Sequence, residues 1–181
     1  MSYVAVIHRE TPIGELTIRP AQPDEAEIIL DLLAEAAGWL RSRGIDQWPQ
    51  RFPTSSVRHQ IVSREALLVF DANNPVATVV VADTNTEFWK TDSTSAYYIS
   101  RLAVARQAAG AGLGHRILDW ITDRAVADHR RYVRLATSSD NPRLRRYYEE
   151  ADFEHVADPP DTRWPTSLYQ RNATRSIRRG V

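Results

Sequence analysis

The sequence predicts an α/β protein of the α+β kind, in which helices interrupt a mixed, mostly antiparallel sheet. Three observations carry this. Apolar patterning switches between periods of two and 3.6 in the order strand, two helices, three strands, helix, strand, helix, two strands. Two of those strands, Tyr97–Ala105 and Tyr132–Thr137, flank a long helix, a crossover that makes them one parallel pair. Between the first of them and the helix lies the run Gly110-Ala111-Gly112-Leu113-Gly114. This is not the regular alternation of a doubly wound nucleotide-binding fold.

Taken in order, Glu15–Ala21 alternates apolar and polar residues as a half-buried strand does. Asp24 and Glu27 have capping-box spacing ahead of Ile28, Ile29, Leu32, Leu33 and Ala36, which share one helical face. Arg41, Arg43 and Gly44 supply the charge and the glycine that close a helix. A loop with Trp48, Pro49, Phe52 and Pro53 leads to a second helix, from Ser55 to Glu65. Strands Ala66–Phe70 and Val76–Ala82 are separated by the turn residues Asp71 to Pro75. From Leu113, apolar residues at Ile117, Ile121 and Ala125 recur one helical turn apart, with Leu118 and Trp120 widening the stripe. Asn141-Pro142 starts the last helix with a favoured cap and a favoured first-turn proline. It carries Leu144, Tyr147 and Tyr148 and ends near Asp152. Strands at Phe153–Ala157 and Ser167–Arg171 follow, then a basic, frayed tail from Arg175 to Arg179. No repeat and no linker divides the chain, so its 181 residues read as one domain with a core from about 15 to 171.

Composition excludes whole classes of function. The chain has 23 basic and 23 acidic residues, so no overall field recruits nucleic acid or an anionic membrane. It has no cysteine, which rules out disulfides, thiolate metal sites and a cysteine nucleophile. The start of the chain lacks the basic and apolar segments of a signal peptide, and no apolar run reaches membrane-spanning length; a cytoplasmic protein is expected.

The glycine run carries the chemistry. Glycines at 110, 112 and 114 let the backbone turn tightly and present successive N–H groups without side-chain obstruction. The helix that begins there adds the positive end of its dipole, so the loop is suited to a phosphate or pyrophosphate. A Walker loop needs Gly-Lys before Ser or Thr, and here Gly114 precedes His115. A dinucleotide fingerprint needs Gly-x-Gly-x-x-Gly, whereas the spacing here is Gly-x-Gly-x-Gly.

The segment instead resembles the GNAT family of N-acetyltransferases, whose loop reads Arg or Gln, two residues, Gly, one residue, then Gly or Ala. Gly112 and Gly114 take the two small positions, preceded by the apolar strand end Leu102-Ala103-Val104 and followed by Ile117-Leu118. Downstream, Asn141, Tyr148 and Phe153 match the family's asparagine, a tyrosine seven residues later, and Gly-Phe. The specific matches lie within 98–153. Two positions depart from the pattern: Ala109 stands for the Arg or Gln, with Arg106 and Gln107 out of register, and Asp152 stands for the glycine, which implies an altered turn.

The resemblance implies a single GNAT domain with about four helices, splayed strands forming an acyl-CoA cleft, and acetyl-CoA as acyl donor with no metal. Leu102, Ala103 and Val104 would pair through their backbone with the pantetheine arm, as an added strand does. Gly110, Ala111, Gly112, Leu113, Gly114 and His115 would wrap the pyrophosphate. Asn141 would touch pantetheine, although capping is a sufficient role for it. A main-chain N–H near Val104 would hold the oxyanion. Tyr148 would be the general acid that protonates the departing thiolate, with Tyr147 as the fallback.

The remaining readings are weaker in kind. His115 at a helix start reads as solvated rather than catalytic, and His59, His129 and His155 have no evident partner. No general base stands out: Asp46, Asp83 and Glu87 read first as surface charge. Trp39, Trp48, Phe52 and Trp89, with Arg41, Arg43 and Asp46, suit the surface for a small polar amine with a ring or apolar part. Trp48 and Phe52 equally suit a staple between the first helices. Ala109 keeps two other donors open, a carrier-bound acyl group or aminoacyl-tRNA, the latter held by Arg143, Arg145, Arg146, Arg175, Arg178 and Arg179. A non-catalytic acyl-CoA-binding module is the third reading, and a homodimer is compatible with all of them.

Overall fold

The computed structural model describes residues 7–85, 87–89 and 94–173. The basic tail from Arg175 to Arg179 and the first six residues lie outside them. The architecture is of the expected kind: the described residues form a mostly antiparallel sheet of eight strands, one more than the pattern predicts, with four α-helices, in the sheet order β1-β2-β3-β4-β5-β6-β8-β7. The elements are β1 (Thr11–Ile13), β2 (Leu16–Pro20), α1 (Ala26–Ser42), α2 (Thr54–Val62), β3 (Ala66–Asp71), β4 (Asn74–Ala82) and β5 (Ala96–Val104). They continue with α3 (Leu113–Ala127), β6 (Tyr132–Ser138), α4 (Pro142–Glu150), β7 (Glu154–Ala157) and β8 (Thr166–Asn172). Two compact units share them: the chain up to Ala82 with Ser100–Gly114, and Asp83–Ile99 with the chain from His115 onward. The division falls inside β5.

In the first unit β1, β2, β3 and β4 run antiparallel in succession. The chain turns from Ile13 to Leu16 through Gly14, whose φ of 63° is one that glycine adopts without penalty. Three residues are too few for a periodic signal, so β1 escapes a pattern search. α1 buries Ala26, Ile29, Leu30, Leu32, Leu33 and Ala37. They pack with Val57 and Ile61 of α2 and with Ala66, Leu68 and Phe70 of β3. Leu30 and Leu33 are fully inaccessible, and burying each stabilises by about 1.5–3 kcal/mol. The box at the head of α1 lies earlier than the Asp24–Glu27 spacing implies. Pro23 opens a 3-10 turn, and the Glu25 carboxylate accepts from the Gln22 N–H at 2.7 Å while both of its oxygens bind Arg19. β4 leads to β5 in the sheet, and the Ala105 N–H donates to the Val76 carbonyl at 2.8 Å.

In the second unit the start of β5 pairs parallel with β6, from Ala96↔Tyr132 to Ile99↔Leu135. β8 pairs antiparallel with both β6 and β7. α3 hides Leu118, Ile121, Thr122 and Ala125, the expected stripe joined by a threonine whose hydroxyl donates back to the Leu118 carbonyl.

All four helices end in the same way. The two N–H groups that follow each helix's cap residue fold back onto its last turn: Gly44 and Ile45 onto Arg41 and Leu40, Arg64 and Glu65 onto Ile61 and Gln60. His129 and Arg130 bind Val126 and Ala125, and Asp152 and Phe153 bind Glu149 and Tyr148. This Schellman arrangement puts the residue after the cap in the left-handed region. Gly44 takes it at 75°, but Arg64, His129 and Asp152 take it at 58°, 55° and 61°. The turn after α4 is thus the ordinary glycine turn, held by an aspartate, and not the altered turn implied by the missing glycine. Asp tolerates this region better than most residues.

Candidate functional site

In the first unit the strand end and the glycine loop are continuous. Ala103 is buried, Leu102 and Val104 are half-buried, and Ala105 ties the end of the strand to β4. Arg106–Ala108 then form a 3-10 turn whose bonds use the N–H groups of Ala108 and Ala109. Beyond Ala109 the chain opens. Gly110 and Gly112 have φ of 86° and 72°, and a Cβ built on either would meet nothing within 4 Å. Among the described residues, no hydrogen bond uses the N–H groups of Gly110, Ala111 or Gly112. Leu113 and Gly114 open α3, where first-turn amides have no intrahelical acceptor. Gly110, Ala111 and Gly112 are therefore a bare, exposed run of donors ahead of a positive helix end whose first residues, Leu113 and Gly114, are buried, a form suited to a pyrophosphate.

Arg106 does not stand in for the side chain missing at Ala109. Its N–H donates to Glu35 at 3.1 Å, and its guanidinium lies 4.3 Å from the ring centroid of Trp39. Arg43 stacks on the same indole at 4.2 Å. Trp48 and Phe52 meet edge to face at 5.7 Å and pack against the α1–α2 core, the staple reading.

The second unit gathers His115, Asn141, Tyr147 and Tyr148. Asn141 is buried and caps α4, its Oδ1 accepting from the Leu144 N–H at 3.1 Å. His115 is half-buried rather than solvated. Its ring lies 4.3 Å from that of Tyr147, and its Nε2 donates to the Tyr147 carbonyl at 3.2 Å, which requires a proton on that nitrogen. Tyr148 packs edge-on to Tyr147 at 5.4 Å and to Phe153 at 5.8 Å. Burial raises the Tyr147 phenol to about 12. Burial raises Tyr148 as well, and a charge on Tyr147 would add to it. Both phenols therefore keep their protons at neutral pH, and a protonated phenol can donate but cannot act as a base.

Other candidates take structural roles. Trp89 is buried beneath the Arg134 guanidinium, 4.3 Å from its ring. Asp83 pairs with Arg130 at 2.6 Å and Asp46 with Arg41 at 3.4 Å. His155 bonds Asp158 at 2.8 Å, and that carboxylate also accepts from Ser167. Arg145 donates to the Tyr169 hydroxyl, which in turn donates to Glu149. Among the described residues no group of three or more His, Asp or Glu side chains could hold a metal ion, and no helix is long and apolar enough to cross a membrane.

Comparison with known proteins agrees with the element order. A model of the acetyltransferase (GNAT) family matches residues 33–153. YesJ of Bacillus subtilis, an uncharacterized N-acetyltransferase, is 30% identical over 159 residues, covering 83% of this chain and 88% of YesJ. The crystal structure of a GNAT-family acetyltransferase from Listeria monocytogenes superposes with a TM-score of 0.75 at 22% identity, over 91% of this chain and 99% of that one. A putative acetyltransferase of Salmonella typhimurium, solved with its cofactor acetyl-CoA, gives 0.63 at 18% identity over 89% and 95%. With a family model across most of its length and a relative matched over most of both chains, the chain belongs to the GNAT family of acetyltransferases.

Proposed function

We propose that the protein transfers an acetyl group from acetyl-CoA to the amine of a small-molecule acceptor by direct attack. The observation that carries the donor assignment is the loop at 110–114: two left-handed glycines, unused N–H groups and a helix start, directly after a strand end. Acetyl-CoA, when bound, supplies an activated acetyl thioester. The loop N–H groups from Gly110 to His115 bind its pyrophosphate, and the backbone of Leu102, Ala103 and Val104 aligns the pantetheine amides. A main-chain N–H near Val104 stabilises the charge that grows on the thioester oxygen, a type of contact worth on the order of 3 kcal/mol elsewhere. Asn141 caps α4 and so sets the rotation at which Tyr148 is presented. The Tyr148 phenol, held protonated by burial, gives its proton to the departing sulfur, and the proton shed by the attacking neutral amine passes to water, from which the phenol is reprotonated. Ala109 contributes no side chain to the phosphates, so donor affinity rests on main chain.

The test is thiol release from acetyl-CoA over a panel of primary amines, wild type against Tyr148→Phe. A general acid is typically worth about 10²–10⁴-fold, so the variant should lose at least about a hundredfold in kcat with acetyl-CoA affinity retained. Equal rates would remove Tyr148 from the chemistry. Acetyl-CoA binding without turnover on any amine would support a binding module. Absence of CoA binding, with aminoacyl-tRNA binding that falls steeply with salt, would support the tRNA donor.

A further inference from the structure

Arg101 is the least comfortable residue in β5. It follows the last β5–β6 pair, and its φ of 50° places a long side chain in the left-handed region within a strand. Such a conformation is strained and persists only where its surroundings hold it. The guanidinium stacks 4.2 Å over Phe52, and its Nη1 donates to Gln60 Oε1 at 2.8 Å and to Ser56 Oγ at 3.2 Å. Ser56 in turn donates to the Pro53 carbonyl at 2.9 Å, so its lone pair is aimed at the arginine.

Among the described residues no anion meets Arg101: every partner is neutral, and burial pushes its pKa down with no carboxylate opposing the shift. Arg19, Arg51 and Arg41 of the same unit meet carboxylates, of Glu25, of Glu27 and Asp31, and of Asp46, and Arg43, Arg64 and Arg106, whose side-chain contacts are also neutral, are exposed to water where Arg101 is half-buried. Nη1 is used up, whereas among the described residues nothing accepts from Nε or Nη2. Those two groups form the side-on fork whose spacing matches the two oxygens of a carboxylate. Strain and a half-buried, unneutralised cation are both unfavourable in the protein alone. A ligand anion would offset both.

We propose that Arg101 is a specificity-determining residue, binding the carboxylate of an acceptor that is itself an amino acid or a similar amine carboxylate. The inference rests on the acyltransferase reading. The site is held by Phe52, Ser56 and Gln60, from α2 and the connection before it, and Arg101 directly precedes the Leu102–Val104 segment assigned to the donor. Phe52 takes part here by orienting the arginine, so its packing role and a role at the acceptor coexist.

The experiment is a matched panel: L-amino acids, each beside its carboxamide, assayed by thiol release from acetyl-CoA with wild type, Arg101→Gln and Arg101→Lys. Wild type should prefer an acid over its amide by at least about tenfold, the range expected when a buried polar partner goes unpaired. In Arg101→Gln that ratio should fall toward one, and Arg101→Lys, with charge but no fork, should restore only part of it. Equal use of acids and amides by wild type, or a ratio unchanged in Arg101→Gln, overturns the proposal. A merely structural arginine would instead lower the thermal midpoint of Arg101→Gln and slow acids and amides alike. If Arg101 selects succinyl-CoA over acetyl-CoA, the carboxylate belongs to the donor and the acceptor assignment fails. Calorimetry with N-acetyl-amino acids and their amides, in the presence of CoA, runs beside the assay. If no amine is turned over, the small-amine acyltransferase reading falls. Acid-selective binding that Arg101→Gln abolishes would still support an anion site, and binding without selectivity would overturn that too.

Discussion

The start of α3 and the end of α4 both bend the backbone into the left-handed region, and they are built in opposite ways. At Gly110 and Gly112 the chain uses glycine, leaves the N–H groups unused and surrounds the α-carbons with open space. At Asp152 it uses a side-chain-bearing residue, satisfies the N–H groups of 152 and 153 on the last turn, and clasps Phe153 against Tyr148. Positive φ alone therefore does not explain where this chain places glycine. Arg64 and His129 make the same point at the ends of α2 and α3. A helix end with two return bonds tolerates a side chain in that conformation, while the run at Gly110 and Gly112, which makes no such bonds among the described residues, is built of glycine.

The sharpest way to break this comparison is at Gly112. Gly112→Val combines left-handed strain of roughly 1–2 kcal/mol with a branched side chain over the donors. Acetyl-CoA affinity by calorimetry should fall at least about a hundredfold, since both the N–H geometry and the space are lost. Gly112→Asn separates the two causes, because asparagine accepts the conformation. If bareness matters, Asn fails nearly as badly as Val; recovery of binding by Asn would mean that φ alone was the requirement.

The packed end responds to alkali instead. Tyr147 has an ordinary pKa near 10 when unfolded and about 12 when folded. A raised folded pKa contributes stability that is full below about 10 and is lost as pH rises through about 12. Urea unfolding between pH 9 and 12 should show this decline, and Tyr147→Phe should flatten it. The chain suits the measurement, because Lys90 is its single lysine and tyrosines dominate that range. A decline of equal steepness in Tyr147→Phe would assign it to other tyrosines.

The smallest effects lie at the three helix ends without glycine. Arg64→Gly and His129→Gly should each stabilise by about 0.5–1 kcal/mol in urea unfolding, and Asp152→Gly by less, since aspartate is already tolerant there. None should alter acetyl-CoA affinity. Destabilisation by Arg64→Gly would show that its hydrogen bond to the His8 carbonyl outweighs the backbone strain.

Periodicity and punctuation made most of the fold legible. The α1 face, the α3 stripe and the Asn141-Pro142 helix start are local patterns, and the structure places them within a few residues of expectation. The loop at 110–114 was legible because glycine spacing is itself the physical requirement. What escaped was set by tertiary contact. No local rule announces left-handed Arg101, because the position reads as one more polar residue on a strand. Trp89 reads as a free aromatic until Arg134 and Tyr98 are packed against it. The box at α1 was misplaced because Glu25 is recruited by Arg19, six residues away in the preceding strand.

The clasp between Tyr148 and Phe153 makes position 148 answer to two masters at once. The ring closes α4 by covering the residue after the turn, and the hydroxyl is the group proposed to deliver the proton. Aromatic replacements that drop only the oxygen keep the helix end intact and separate chemistry from folding, whereas a small residue would unseat Phe153 as well. In a deep mutational scan this codon should therefore show two plateaus, phenylalanine alone retaining abundance without turnover, and aliphatic or polar residues losing both.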